Sequence, residues 1–370
     1  MKKIKVAQIV GKLYGGGVEK VIFNYYRKID KSIIQFDFFY DSDSTVAPPQ
    51  DLIDMGAKFY KIPPYQKIHK YIPCLYRILK KNHYDIIHSN LNTLSVFPLF
   101  VGRLVNIPVR IAHNHSVPSG NEGARTYLKK FLRLFSKLNA NEYFACSRKA
   151  GIWLFGKEKF DKGQVEIIYN AIFLNKFNYT ENQIDELKEE LGIKKDDFVV
   201  GHVGRLTFAK NQEFLIRVFS QIEKQLPNAK MLIVGDGELR ERLVNSAKKL
   251  GLEKKIIFTG QSTQSEKFYS IMNVFILPSF FEGLSMATVE AQVGGVPVIV
   301  SKAVPHEANI SNQFHQLSLE KNNEEEWAKA AIKFSNSNVK LNDFSDKYDI
   351  TKAAPKLANM YKLFYKKHLG

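Results

Sequence analysis

Short apolar runs alternate with amphipathic stretches along this chain, and the alternation happens twice. "KIKVAQIV" (3–10), "FDFFY" (36–40), "DIIHSN" (85–90), "VRIAHNH" (109–115), "EYFACS" (142–147) and "VEIIYN" (165–170) each read as a strand, with helical periodicity such as "VEKVIFNYYRKI" (18–29) in between. After "NAIFLNKFNYTEN" the pattern restarts with "FVVGHVG" (198–204), "AKMLIVG" (229–235), "KIIFTG" (255–260), "VFILPS" (274–279) and "VPVIVS" (296–301). Near-continuous apolar runs separated by helices predict parallel, doubly wound sheets. The polar stretch near 173–183 is the linker candidate, and "ITKAAPKLANMYKLFYKKHLG" reads as terminal helices. The expectation is an α/β chain of two Rossmann-like, doubly wound parallel-sheet domains facing a central cleft. Residues 1–175 form the first and 176–345 the second, with helices over 346–370 crossing back to the first. In such sheets ligands bind at the carboxyl ends of the strands.

With 370 residues, of which 45% are hydrophobic, each half can bury a core. The two cysteines, Cys74 and Cys146, lack metal-type spacing, which suits a reducing compartment and argues against a disulfide scaffold or a zinc site. "MKKIKVAQIVGKLYGGG" reads as a first strand and loop rather than a signal peptide. No run approaches the roughly 18 apolar residues of a membrane-spanning helix, so the chain is expected to be soluble or peripheral. Charge changes the picture more. Net charge is +17, and the first 170 residues carry 27 Lys/Arg against 13 Asp/Glu. A basic half seeks an anionic partner: nucleic acid, an acidic lipid surface or a phosphorylated ligand.

The candidate chemistry concentrates in "SFFEGLSMATVEAQVGGVPVIV" (279–300), where Glu282 and Glu290 lie eight positions apart. Glu282 sits in a turn after a strand, Glu290 inside a helix. Ser285 is the N-cap candidate; position 288 is Thr, so no capping box closes. Amides of Gly283, Leu284 and Ser285 can therefore point at an anion, aided by the helix dipole. Carboxylates accept hydrogen bonds from neighbouring hydroxyls, as a ribose or hexose offers. Taken alone, two such glutamates read more readily as solvated surface charges at a helix start. Upstream, "GHVGRLTFAKNQEFL" places Arg205 and Lys210 between a strand and a helix. Two cations there can neutralise a diphosphate leaving group without a metal.

The ordered set Gly204-Arg205, Lys210, Gly235-Asp236-Gly237, Gly260, Glu282, Glu290 and Gly295-Val296-Pro297-Val298 resembles the retaining glycosyltransferases of family 4, which have the two-domain GT-B fold. The resemblance implies that Glu282 contacts the donor sugar and Glu290 the nucleotide ribose. It places the pyrophosphate on the amides of Gly283, Leu284 and Ser285 beside Arg205 and Lys210. Gly237, Gly260 and Gln261 join the nucleotide-sugar site. In the first half, "GKLYGGGVEK" resembles the family's Gly-Gly loop, with Gly16 and Gly17 letting backbone amides approach the diphosphate; the spacing is not a dinucleotide fingerprint. The family has one histidine near "VRIAHNHS". His113 and His115 alternate onto one side of the strand, and both stand as candidates, His115 first. Asn90, Ser147 and Asn170 fall where the family lines its acceptor cleft, although Ala171 replaces the usual Gly after Asn170.

No cofactor and no metal are expected. Asp41-Ser42-Asp43 has the look of a metal-binding DxD but reads as an acidic turn. "YQKIHKYIPCLYRILKK" (65–81) and "RTYLKKFLRLFSK" (125–137) are basic and aromatic. In the second, Tyr127, Leu128, Phe131, Leu132, Phe135 and Leu138 make an apolar face ringed by Lys129, Lys130, Arg133 and Lys137, a pattern that suits an anionic bilayer surface. The resulting expectation is a metal-independent enzyme that moves a sugar, with retention, from a nucleotide-diphosphate donor (UDP-sugar first) to a lipid-linked or polysaccharide acceptor. It would work on the cytoplasmic membrane face. A sugar-nucleotide epimerase shares the fold. A basic nucleic-acid-binding protein is the alternative of another class, but no recognised nucleic-acid module is visible and no nucleic-acid partner is expected.

Overall fold

The structure, a computed structural model, describes residues 3–117 and 124–369. It divides into two compact units, Met1–Phe173 with Asp346–Gly370, and Leu174–Ser345.

In the first unit seven strands form one parallel sheet: β1 (Ile4–Gly11), β2 (Ile34–Asp41), β3 (Lys58–Ile62), β4 (Ile86–Ser89), β5 (Val109–Asn114), β6 (Glu142–Ala145) and β7 (Val165–Ile167). Their order is β3-β2-β1-β4-β5-β6-β7. The second unit's sheet comprises β8 (Phe198–Val203), β9 (Ala229–Val234), β10 (Ile256–Gly260), β11 (Val274–Leu277), β12 (Val298–Ser301) and β13 (Phe314–Leu317), in the order β10-β9-β8-β11-β12-β13. Every described pairing between these strands is parallel. Parallel sheets bury both faces, which is why the inner strands are near-continuous apolar runs. Strand order reverses between β1 and β4 in the first sheet and between β8 and β11 in the second. Those reversals open a crevice at the strands' carboxyl ends.

Two strands, β3 and β13, lie outside the apolar runs. Both are sheet edges, only partly covered, and their composition is correspondingly mixed. The helix Gln212–Gln225 buries Phe214, Leu215, Val218, Phe219 and Ile222 on one stripe. Trp327 of the helix Glu324–Phe334 meets Phe214 edge-on, with ring centroids 5.4 Å apart. Fully burying one such ring is worth about 1.5–3 kcal/mol. The terminal helix, Ile350–Leu369, lies on the first unit's sheet, where buried Tyr361 meets Phe36 of β2 and Phe364 meets Phe144 of β6. Among the described residues no helix is long and apolar enough to cross a membrane.

Candidate functional site

In the second unit the candidate residues gather at the reversal between β8 and β11. The loop after β8 carries Gly204 and Arg205, turns through Phe208–Lys210 and enters the helix Gln212–Gln225. Buried His202 ties it down. Its Nδ1–H donates to the Ile276 carbonyl of β11 (2.9 Å), so Nε2 accepts from Gln212 Nε2 (3.2 Å). Gln212 also donates to the Arg205 carbonyl (3.0 Å). Burial pushes the imidazole down to about 4, so it is neutral at pH 7.

Lys210 Nζ pairs with Glu282 Oε1, and Ser279 Oγ donates to the same oxygen (2.8 Å). The Glu282 side chain is only 8% exposed. This is a charge-assisted arrangement in a partly desolvated turn. Arg205 lies 3.6 Å from Glu238, and both are solvent-exposed. Each cation of the expected diphosphate site therefore has a carboxylate beside it. Glu290 is buried in the helix Met286–Val293, and Tyr269 donates its hydroxyl to Glu290 Oε2 (2.9 Å). Burial and the neighbouring carboxylate push the Tyr269 hydroxyl well up. Ser285 caps that helix, accepting from the Thr288 amide (3.3 Å), with Gly283 and Leu284 in the turn before it.

Gly237 has a packing reason of its own. A Cβ there would lie 2.4 Å from the Leu206 carbonyl oxygen, and one at Gly235 would lie 2.1 Å from that of Gly204. The two glycines thus let the turn after β9 close onto the Arg205 loop. Gly260 ends β10 in the left-handed region (φ +77°), where it accepts the Gly235 amide, and exposed Gln261 follows.

In the first unit the loop after β1 turns its amides inward. Buried Glu19 accepts from Tyr14 (2.9 Å), Gly15 (2.8 Å) and Gly16 (3.2 Å), and Gly17 begins the helix Gly17–Lys28. The Gly16 amide is taken by Glu19. Asn90 lies at the end of β4 and His113 and His115 at the end of β5, all buried. Both histidines belong to one network. His115 Nε2 bonds Asn90 Oδ1 (3.0 Å), His113 Nδ1 bonds His88 Nε2 (3.0 Å), and the two rings lie 3.8 Å apart, centroid to centroid. Burial pushes His88 and His115 down to about 3, and burial with the neighbouring rings pushes His113 well down too. Ser147 caps the helix Arg148–Phe155. Asn170 is buried, with no partner for its Oδ1 among the described residues.

Asp41 is largely buried, and desolvation, then Asp43, pushes its carboxyl up to about 7. Asp43 pairs with Lys12 at 2.9 Å. The two basic-aromatic stretches part company. The helix Ile68–Asn82 buries Tyr71, Leu75 and Leu79 against its own unit, so its apolar stripe is occupied. The helix Ala124–Phe135 does the reverse. Leu132 is buried, whereas Tyr127, Phe131, Leu134 and Leu138 form an exposed stripe, 75%, 57%, 74% and 65% exposed.

The sequence reading passed over Ser279, Tyr269, His202 and Gln212 in the second unit and Gln8, His88 and Tyr361 in the first. Gln8, His88 and His202 carry a legible signal, each a polar residue inside an otherwise apolar strand. Tyr361, in an ordinary amphipathic tail, carries none.

Two family models match the chain: "Glycosyltransferase Family 4" over residues 15–176 and "Glycosyl transferases group 1" over residues 183–349. EpsF of Bacillus subtilis, an inferred glycosyltransferase, is 28% identical over 306 residues, covering 81% of this chain and 79% of EpsF. A UDP-Gal:alpha-D-GlcNAc-diphosphoundecaprenol alpha-1,3-galactosyltransferase of Escherichia coli is 26% identical, with 97% of each chain covered. Among solved structures, Anabaena Alr3699/HepE in complex with UDP and glucose superposes with a TM-score of 0.73 at 20% identity, covering 98% of each chain. At that identity the likeness is one of fold.

Proposed function

From the premise that the chain belongs to glycosyltransferase family 4, with the GT-B fold and a part in glycan biosynthesis, we propose that it moves a sugar from a UDP-sugar to a lipid-linked or polysaccharide acceptor with retention. The observation that carries this reading is the assembly of Lys210, Glu282, Ser279 and the Glu290–Tyr269 pair around one strand-order reversal. Glu290 takes the ribose hydroxyls and Glu282 the donor sugar. Arg205 and Lys210 exchange their carboxylate neighbours for the diphosphate, where charge grows as the sugar leaves. The lipid-linked acceptor is suggested by the activity named for the Escherichia coli relative.

No metal is needed in this reading, because the cations are the protein's own. Transfer persisting in excess chelator is the expected result; loss that Mn²⁺ restores would shift attention to Asp41 and Asp43. The donor is tested by thermal shift against UDP, GDP and ADP. A nucleotide at about 100 times its Kd adds roughly 2.7 kcal/mol, and UDP should shift the transition most. A larger shift with GDP or ADP would overturn the UDP assignment.

The enzyme is peripheral on the cytoplasmic membrane face through the outward stripe of the helix Ala124–Phe135. Lys130 and Lys137 are exposed beside it, and Arg133 lies over the Trp153 ring (5.6 Å). A helix of this kind lies in an anionic interface. Phe131→Ser with Leu134→Ser should abolish sedimentation with phosphatidylglycerol vesicles while leaving nucleotide binding intact. Unchanged vesicle binding would remove this part of the reading.

A further inference from the structure

The first unit's buried polar network has a direction, and the direction ends at the histidine pair. It can be read from Asn90. The Asn90 amide nitrogen lies 3.0 Å from Gln8 Oε1, 3.4 Å from the Ile9 carbonyl and 3.5 Å from the His88 carbonyl. Three acceptors around one atom require the NH₂ there and the oxygen on the other side. Gln8 then points its oxygen at Asn90 and its NH₂ at Tyr361 Oη (3.0 Å). Having accepted that bond, Tyr361 donates its proton to His88 Nδ1 (2.7 Å). His88 is therefore protonated on Nε2 and donates to His113 Nδ1 (3.0 Å). His113 in turn keeps its proton on Nε2. At the other end, Asn90 Oδ1 accepts from His115 Nε2–H, so His115 Nδ1 holds a lone pair. His113 Nε2 and His115 Nδ1 are both buried and without a partner among the described residues.

Buried polar atoms are normally satisfied. Here one donor and one acceptor, on neighbouring rings at the end of β5, are left over together. We infer that Tyr361 of the terminal helix is a positioning residue. Acting through His88, it holds His113 as the Nε2–H tautomer, so that His113 Nε2–H and His115 Nδ1 face sugar hydroxyls as a fixed donor–acceptor pair. A hydroxyl both donates and accepts, so neighbouring hydroxyls satisfy both atoms. The hydroxyl assignment rests on the proposed glycosyl transfer; the tautomer assignment does not. Without the Tyr361 hydroxyl, His88 can carry its proton on Nδ1 and accept from His113, which turns the unpartnered end of the network from donor to acceptor.

The test compares wild type with Tyr361→Phe, which keeps the ring packed between Phe36 and His88. Nitrogen-15 histidine NMR distinguishes protonated from unprotonated ring nitrogens. In wild type, His88, His113 and His115 should all be protonated on Nε2. In Tyr361→Phe, His113 should populate both tautomers, with kcat down about tenfold, the size of one well-placed hydrogen bond, and UDP affinity unchanged. His88→Leu, which removes the donor to His113, serves if Tyr361→Phe does not fold, and should mix the His113 tautomers likewise. A wild-type His113 protonated on Nδ1 would overturn the inference, as would an unaltered His113 in the variant. A purely structural Tyr361 would lower Tm and leave the tautomer alone. Wild type inactive with every nucleotide sugar would sink the functional reading and leave the tautomer result to be judged by itself.

Discussion

The two units build their candidate sites at the same topological place by opposite electrostatic means. In the second unit the side chains are ions. Lys210 faces Glu282, Arg205 lies near Glu238, and Glu290 is buried against Tyr269. In the first unit the core of the site is neutral: three imidazoles, two amides and a phenol bonded in series. An ionic site suits a ligand whose charge changes during reaction, because fixed charges near a developing anion stabilise it most. A neutral, directional network suits hydroxyls, where the order of donors and acceptors carries the specificity. The shared scaffold therefore fixes where a site is, and the residue types at the strand ends decide what it can hold.

The ionic half is broken hardest at Lys210. Lys210→Ala removes a cation from the proposed diphosphate site and leaves nearly buried Glu282 without its counter-ion. Loss of one transition-state donor of this kind costs about 10²–10³ in kcat. Steady-state kinetics should show that fall in kcat with a smaller change in donor KM. A variant within threefold of wild type on both parameters would remove Lys210 from the chemistry.

The next largest effect separates the two glutamates. Glu290→Gln turns one acceptor oxygen into a donor facing Tyr269 and the proposed ribose site. A hydrogen bond to a charged group is worth roughly 1.5–3 kcal/mol, so free UDP should bind about tenfold more weakly or worse. Glu282→Gln should leave UDP affinity nearly unchanged and depress turnover with the intact sugar donor. Paired calorimetric titrations decide the matter. If Glu282→Gln loses UDP as badly as Glu290→Gln, or neither loses it, the division of labour is wrong.

Much of this is legible in the sequence. Both sheets follow from apolar runs, because strands buried on two faces leave little room for polar residues. The edge strands β3 and β13 escaped because half-covered strands carry no such run. Glu282, Glu290, Arg205 and Lys210 stood out through ordered spacing, which survives as a linear pattern. Ser279 and Tyr269, which hold those glutamates, did not; a serine after a strand or a tyrosine in a short helix has many ordinary uses. Tyr361 was the least visible. It meets Gln8 and His88 across separations of 353 and 273 residues, and only the placement of the terminal helix on the sheet makes them neighbours. The helix Ala124–Phe135 departs from its expected face in one detail. Leu132 looked like part of the outward stripe but is buried, and Leu134 takes its place.

The smallest expected effect tests whether the first unit's site is neutral. His88 and His115 are pushed down to about 3, and His113 well below its ordinary value, all chiefly by burial. An unfolded histidine titrates near 6.5. Each ring therefore contributes stability that is fully present above pH 6.5 and is lost as pH falls toward its folded value, at about 1.4 kcal/mol per pH unit. Two carboxyls in the same unit act the other way. Asp41, pushed up to about 7, and Glu19, also raised, take up protons in the fold before they do so unfolded, and this stabilises as pH falls. The three rings here, with His202 of the second unit also pushed down to about 4, outnumber the two carboxyls, so the balance is a loss of stability as pH falls below 6.5. Tm should thus fall between pH 7 and pH 5. Over the same range NMR of the native protein should show none of the three rings taking up a proton, and the kcat profile should lack a limb near 6.5 from them. Protonation of any one of the three near pH 6.5 in the folded protein would place a charge inside this network. The contrast between an ionic and a neutral site would then fail at its neutral end.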